Sequence, residues 1–130
     1  MNIDIDELRK FMEGVASKRG AFTVFALFLR DEAPDVWDLV VSAPWLEEGR
    51  SKALKKFAKG LSAAIGEDGV LSLSRIVTLK ADEPAVDTIL ELGGSGGTVE
   101  LRDFDVVGLK IRQGYILRAE RPQPEPSTAT

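Results

Sequence analysis

Four carboxylates stand close together in one short stretch of the chain, and clustered carboxylate oxygens are the groups that hold Mg²⁺ or Ca²⁺ in proteins. They are Asp31, Glu32, Asp35 and Asp38. Their spacing does not match the loop of an EF-hand, and no glycine stands where that loop bends. A polar hairpin turn is the better interpretation. We therefore predict no metal site and no cofactor.

The Pro34-Asp35 pair also invites comparison with nucleases of the PD-(D/E)xK type. Such a site needs a Glu-x-Lys or Asp-x-Lys on a following strand, and the next predicted strand carries only Arg75. A metal-dependent hydrolase that uses Asp35 or Asp38 is therefore the weakest of the alternatives.

The composition removes other kinds of catalysis. The chain has no cysteine and no histidine, so it has no thiol nucleophile, no Ser-His-Asp triad and no zinc site built from these residues. The remaining amine, carboxylate and hydroxyl groups do not assemble a catalytic set along the sequence. The sequence favours a protein without catalytic activity.

A row of lysines follows the helical repeat on the second predicted helix. Its members are Lys52, Lys55, Lys56 and Lys59, with Arg50 just upstream. Such a stripe could face phosphates or an acidic partner. The alternative is a solvated helix face, which is the usual meaning of a charge run. These five residues are the candidate partner-binding site.

Asp38 and Arg75 each interrupt a largely apolar strand. A charge buried in a strand needs a partner. We predict that the two side chains lie close together, or reach one polar pocket with Ser42. A structural ion pair is a better interpretation of them than a catalytic pair.

Aromatic residues concentrate around the first predicted hairpin. They are Phe22, Phe25, Phe28, Trp37 and Trp45. If they exceed what the core of so small a domain can bury, the surplus favours a homo-oligomer or a protein partner. A densely packed core is the equal alternative.

Hydrophobic periodicity predicts the elements that position these residues. A first helix ends at Arg19, a second runs from Trp45 to Ile65 and ends at Gly66, and a third starts at Pro84. The predicted strands are Ala21–Leu29, Val36–Ala43, Val70–Leu79, Thr98–Phe104 and Leu109–Ala119, the last with a kink or turn at Gln113-Gly114. The glycine run Gly93–Gly97 is interpreted as a helix stop and flexible linker.

These elements predict an α+β class: a single globular domain over residues 1–120, with a mixed, mostly antiparallel sheet of about five strands covered by about three helices. Residues 121–130 are predicted to be a disordered, proline-rich tail. The chain has 130 residues and a formal net charge of −4. No membrane span or signal peptide is evident, which favours the cytoplasm.

We therefore expect a small cytoplasmic, non-catalytic protein-interaction or accessory module that self-associates or binds a protein partner. The alternative is a nucleic-acid accessory protein that uses the lysine row. The net negative charge does not favour nucleic acid as the partner.

Overall fold

A computed structural model describes residues 3–93 and 97–121 of the chain, without the side chain of Arg50. Most of the predicted glycine linker, residues 94–96, and all of the predicted tail of residues 121–130 except Arg121 lie outside the described residues. Arg121 Nη2 lies 2.6 Å from Asp87 Oδ1. Within the described part, no helix is both long and apolar enough to cross a membrane.

Three helices and one five-stranded sheet make up the described residues. The strands lie in the order β3-β2-β1-β5-β4. Every neighbouring pair is antiparallel except β2 and β3, which are parallel. The predicted α+β class with a mixed, mostly antiparallel sheet is therefore confirmed. The elements are α1 (Ile5–Arg19), β1 (Val24–Arg30), β2 (Trp37–Ser42), α2 (Pro44–Leu71), β3 (Leu73–Thr78), α3 (Pro84–Gly93), β4 (Val99–Val106) and β5 (Leu109–Ala119).

The first helix begins where the sequence offers an acidic cap. Asp4 accepts backbone hydrogen bonds from Asp6 at 2.9 Å and Glu7 at 3.3 Å, which satisfies amide groups that have no partner within the helix. At the other end, the backbone N–H of Gly20 donates to the carbonyl of Ala16 at 2.9 Å. The buried side of α1 carries Leu8 and Met12.

The two central strands are buried on both faces, because helices cover both sides of the sheet. On one face, β1 contributes Phe25 and Leu27 to a core that also includes residues of α1 and α2, such as Phe57. On the other face, Val24 and Ala26 belong to a second core with Val86 and Ile89 of α3. The alternation of side chains along a strand therefore separates the two cores.

The second helix is longer than its glycines predict. We expected it to end at Gly66 and a strand to begin at Val70, but α2 continues to Leu71 and β3 begins only at Leu73. Gly66 does adopt a left-handed conformation, with φ of 74°. Glycine accommodates that turn without ending the helix. The backbone N–H of Ser72 then caps the helix by donating to the carbonyls of Asp68 and Gly69.

The long helix also explains the one parallel pairing. Parallel neighbours need a crossover of a dozen or more residues, and α2 supplies it between β2 and β3. In the resulting register Asp38 pairs with Arg75 and Val40 with Val77. The crossover thus brings together two charges that are far apart in the sequence.

Of the kink or turn expected at Gln113-Gly114, the turn is absent, because β5 runs through both residues. The pairing of β5 with β1 is irregular beside this position, since Leu29 pairs with Gln113 and Arg30 with Ile111. The chain turns instead at Val107 and Gly108, both with positive φ. Gly114 serves packing: a Cβ atom there would lie 2.6 Å from Cζ of Phe104 and 2.9 Å from Cδ1 of Phe28.

Candidate binding groove

The first two helices leave an open groove between them, with a volume of about 410 Å³. We call it the α1–α2 groove. Its apolar floor is formed by Phe11 and Val15 of α1 and by Trp45 and Phe57 of α2. This volume falls in the range of ligand-binding clefts.

The aromatic floor is held in place by contacts within the protein. The ring centroids of Phe11 and Phe57 are 5.4 Å apart, and those of Trp45 and Phe57 are 6.4 Å apart. The indole Nε1–H of Trp45 donates to the carbonyl of Gly20 at 3.1 Å. The floor is therefore preformed, and a ligand does not have to order it.

Two glycines shape the groove in different ways. A Cβ atom at Gly14 would meet nothing within 4 Å, so this position opens directly onto free space. A Cβ atom at Gly60 would lie 3.2 Å from Cε1 of Phe11. Gly60 thus allows α1 to approach α2 closely, whereas a side chain at Gly14 would project into the open groove.

Basic side chains border the groove. The guanidinium carbon of Arg19 lies 5.4 Å from the ring centroid of Trp45, within the range of a cation–π contact. Lys18 and Lys56 also line the groove and are exposed. None of these three cations forms an ion pair with a carboxylate of the described residues. The border is therefore positively charged and available to an acidic ligand.

The predicted lysine row continues from this border along α2. Lys52, Lys55 and Lys59 are exposed and form no ion pair within the described part of the chain. Lys56 is the member of the row that lines the groove. The backbone of Arg50 belongs to α2, but its side chain lies outside the described part of the structure.

The acidic turn is held by arginines and does not form a carboxylate cluster. Asp31 pairs with Arg112 at 3.1 Å, and Glu32 pairs with Arg30 at 2.6 Å. Within residues 3–93 and 97–121, no three acidic side chains converge as a metal site requires. This arrangement does not support the metal-dependent alternative.

The structure places Asp38 and Arg75 together on neighbouring strands. Arg75 Nη2 lies 3.3 Å from Asp38 Oδ2, although the side chain of Arg75 is 53% exposed and that of Asp38 only 4%. Ser42 is buried on the same strand, but no hydrogen bond joins its hydroxyl to either residue. The pair is therefore asymmetric, with a buried acid and a base at the surface.

A third member of this cluster was missed by the sequence analysis. Arg30 Nε lies 2.7 Å from Asp38 Oδ2, and the Arg30 side chain is only 16% exposed. The hydrogen bond to Glu32 is the largest cause of a pKa of Arg30 above its ordinary value. Burial, the second largest effect, lowers the pKa, and the hydrogen bond to Asp38 adds to the rise. Its position at the end of β1, in a hairpin with Asp38, is the signal that could have identified it.

Comparisons of this chain with protein-family models, with curated proteins and with solved structures find no match. Its function is therefore inferred from its own geometry.

Proposed function

We propose that this chain is a non-catalytic protein-interaction module, and that its α1–α2 groove binds an acidic, amphipathic segment of a partner protein. The observation that carries the proposal is an open apolar groove whose basic border has no carboxylate partner among the described residues. Helices that place an apolar face into a groove recur in protein recognition, with anchors at i, i+3, i+4 and i+7.

The apolar floor and the basic border of the groove both match such a segment. Leucine or phenylalanine anchors would be buried against Phe11, Trp45 and Phe57, which supplies the affinity. Glutamates or aspartates beside those anchors would meet Lys18, Arg19 and Lys56, which supplies orientation and speeds association. A basic or neutral segment would be complementary only to the apolar floor of the groove.

Most of the aromatic residues that led us to expect self-association are buried inside the protein. Phe22, Phe25, Phe28 and Trp37 are all buried in the two cores. Trp45 is the half-buried exception, and it lines the groove. Trp45 is therefore the part of the aromatic surplus that an interface could use, and it lies in the groove.

A designed peptide tests the proposal. The probe is a labelled amphipathic helix of about 14 residues, roughly four turns, with leucine and phenylalanine on one face and glutamates at the positions that flank this face. We expect micromolar binding by fluorescence anisotropy, with amide chemical-shift changes confined to α1 and α2. A peptide of the same composition with its apolar residues scattered around the helix should bind at least about tenfold more weakly.

Two variants test whether the peptide binds in the α1–α2 groove. Gly14→Leu should fill the groove and weaken binding without unfolding α1, because Gly14 is exposed and leucine has the higher helix propensity. Lys56→Glu should also weaken it, whereas Lys110→Glu makes the same charge change on β5 and should not. Equal affinity for all three variants and the original chain would contradict the proposal.

The lysine row keeps nucleic acid as a second candidate partner. Its favouring observation is that Lys52, Lys55 and Lys59 are exposed without ion pairs in the described part of the chain. A gel shift at low salt that is abolished by Lys52→Glu with Lys59→Glu, and unaffected by Gly14→Leu, would support it. Absence of binding at low salt would remove it.

A further inference from the structure

The two outer strands of the sheet, β4 and β3, differ in how far their edges are protected by charge. Charged side chains are one means by which natural sheets keep their edges from pairing. β4 carries four of them, which are Glu100, Arg102, Asp103 and Asp105. β3 carries one, Arg75, and it is paired with Asp38 of its own chain. Among the described residues no strand pairs with the outer side of β3, so this edge is open to another strand.

The backbone of β3 presents unpaired hydrogen-bonding groups on its outer side. The N–H of Leu79 donates to the carbonyl of Val41 in β2 at 2.9 Å, so this N–H points inward. Successive residues of a strand direct their backbone groups to opposite sides. Ile76 and Thr78 therefore direct their N–H and C=O groups away from β2. Such a row of unpaired groups is a template for a further strand.

The flank of α2 that faces away from α1 is uncharged along most of its length. α2 packs on α1 at one side and on β3 at the other, and Lys56 and Gly60 line the groove on the α1 side. Leu54 and Ala58 stand two positions earlier, which is about 200° around the helix, so they lie on the β3 side. The uncharged flank consists of Ser51, Leu54, Ala58, Ser62 and Ile65.

We propose that the β3 edge pairs with β3 of a second copy of this chain in antiparallel orientation, which joins the two sheets in a two-fold dimer. A two-fold axis requires a surface that is complementary to itself. The axis places both α2 helices on the same face of the joined sheet, with their uncharged flanks side by side. Two copies that each carry −4 repel one another, and a contact between uncharged surfaces adds nothing to this repulsion.

The pairing also keeps the charges of β3 apart. The outward groups allow two registers, in which Ile76 lies opposite either the partner's Ile76 or the partner's Thr78. Arg75 then lies opposite the partner's Val77 or the partner's Leu79. Like charges directly opposite one another destabilise a strand pair, and neither register produces them.

The two ends of β3 are complementary to each other. Leu71, just before β3, is 77% exposed, and an open cleft of about 610 Å³ lies at the other end of the strand. Antiparallel pairing places the start of one β3 beside the end of the other. Each Leu71 thus approaches the partner's cleft, where two leucines offer it apolar contact. The cleft is lined by Leu46, Glu47, Thr78, Leu79, Lys80 and Glu83.

The unaltered protein tests the dimer and its location together. Sedimentation from micromolar to millimolar concentration should show the mass rising from the 14.1 kDa of one chain to twice that value. Amide hydrogen exchange at Ile76 and Thr78 should slow as the dimer forms, whereas exchange at Leu79, which is already bonded to β2, should not change. A mass that stays at one chain, or a dimer without slower exchange at Ile76 and Thr78, would overturn the proposal.

Two variants and a matched control locate the contact. Thr78→Pro removes an outward N–H and keeps the bonds to β2, and proline is tolerated at such edge positions, so the dimer dissociation constant should rise at least about tenfold. Ala58→Glu sets a charge on the uncharged flank and should also weaken the dimer. Ala63→Glu makes the same exchange at an exposed position outside the flank and should not.

Thermal unfolding shows which variants are folded, and Ala58→Glu decides the outcome if Thr78→Pro is not. Gly14→Leu, in the α1–α2 groove, should leave the dimer unchanged, so the dimer and the binding of the acidic peptide can fail separately. If Gly14→Leu weakens the dimer and Ala58→Glu does not, the two copies meet at the groove and the β3 edge is not the interface.

Discussion

The two arginines that contact Asp38 stabilise its carboxylate to very different degrees. The contact from Arg30 is short and lies in a mostly buried environment, whereas the contact from Arg75 is longer and its side chain is half in water. Coulomb attraction is strong where water is excluded and weak where it is not. Arg30 is therefore the main counter-charge of Asp38, and Arg75 is the minor one.

Replacing each arginine with methionine should separate these two roles. Methionine keeps much of the apolar stem, so the loss comes mainly from the guanidinium. Arg30→Met leaves a buried carboxylate without its main partner and should lower the free energy of unfolding by about 2 to 4 kcal/mol. Arg75→Met should lower it by less than about 1 kcal/mol. Urea denaturation measures both, and equal losses would show that the two contacts are equivalent.

The sequence identified Asp38 and Arg75 because each charge stands within an otherwise apolar strand. It did not identify Arg30, because a base at the end of a strand and beside an acidic turn looks like an ordinary surface residue. Only the hairpin pairing of β1 with β2 brings Arg30 to the buried carboxylate. Residue chemistry predicted that the buried charge needs a partner and identified Arg75, but the second partner, Arg30, depends on where the hairpin places the end of β1.

The two helical glycines of the groove give a matched pair of predictions. Gly14→Ala adds helix propensity and meets no atom within 4 Å, so it should raise the free energy of unfolding by about 1 kcal/mol. Gly60→Ala gains the same propensity but places its Cβ 3.2 Å from Phe11, so its net gain should be smaller or negative. Thermal or urea unfolding compares the two. A larger gain from Gly60→Ala would show that α1 is not packed closely on α2 there.

The boundary between α2 and β3 shows where periodicity fails at the scale of the element. Val70 and Leu71 precede an alternation of leucine and serine, which is the pattern of a strand. In the structure they form the last residues of α2, and both are exposed. Short apolar runs do not distinguish a strand from a helix end. The hydrogen bonds that prolong the helix past Gly66 decide the outcome.

At the scale of the whole molecule, the two-sided burial of the sheet was the predictable part. A first strand that is apolar on both faces requires cover on both, and the order of helices and strands placed the chain in the α+β class. The α1–α2 groove was not predictable, because it is a gap between two helices and no single residue pattern encodes it. The lysine row was visible in the sequence, but only helix packing places Lys56 beside the aromatic floor.

The net charge of the chain and the cations at the groove act on an acidic ligand in opposite directions. The chain as a whole carries −4 and should repel a glutamate-rich peptide, while Lys18, Arg19 and Lys56 should attract it. Coulomb energy in water falls from about 1 kcal/mol at 4 Å to about 0.2 kcal/mol at 20 Å per pair of unit charges. Contact with three cations should therefore outweigh the scattered, distant excess of acids.

The direction of the salt dependence decides between these two influences. As salt rises from about 0.01 M to about 0.1 M, the Debye length shortens from about 30 Å to about 10 Å. If the groove cations dominate, as we expect, the affinity for the glutamate-rich peptide falls severalfold by fluorescence anisotropy. The affinity of a peptide with glutamine in place of every glutamate should change little with salt, because only its apolar anchors contribute to binding. An affinity that rises with salt would mean that the overall negative charge governs binding, and would place the peptide away from Lys18, Arg19 and Lys56.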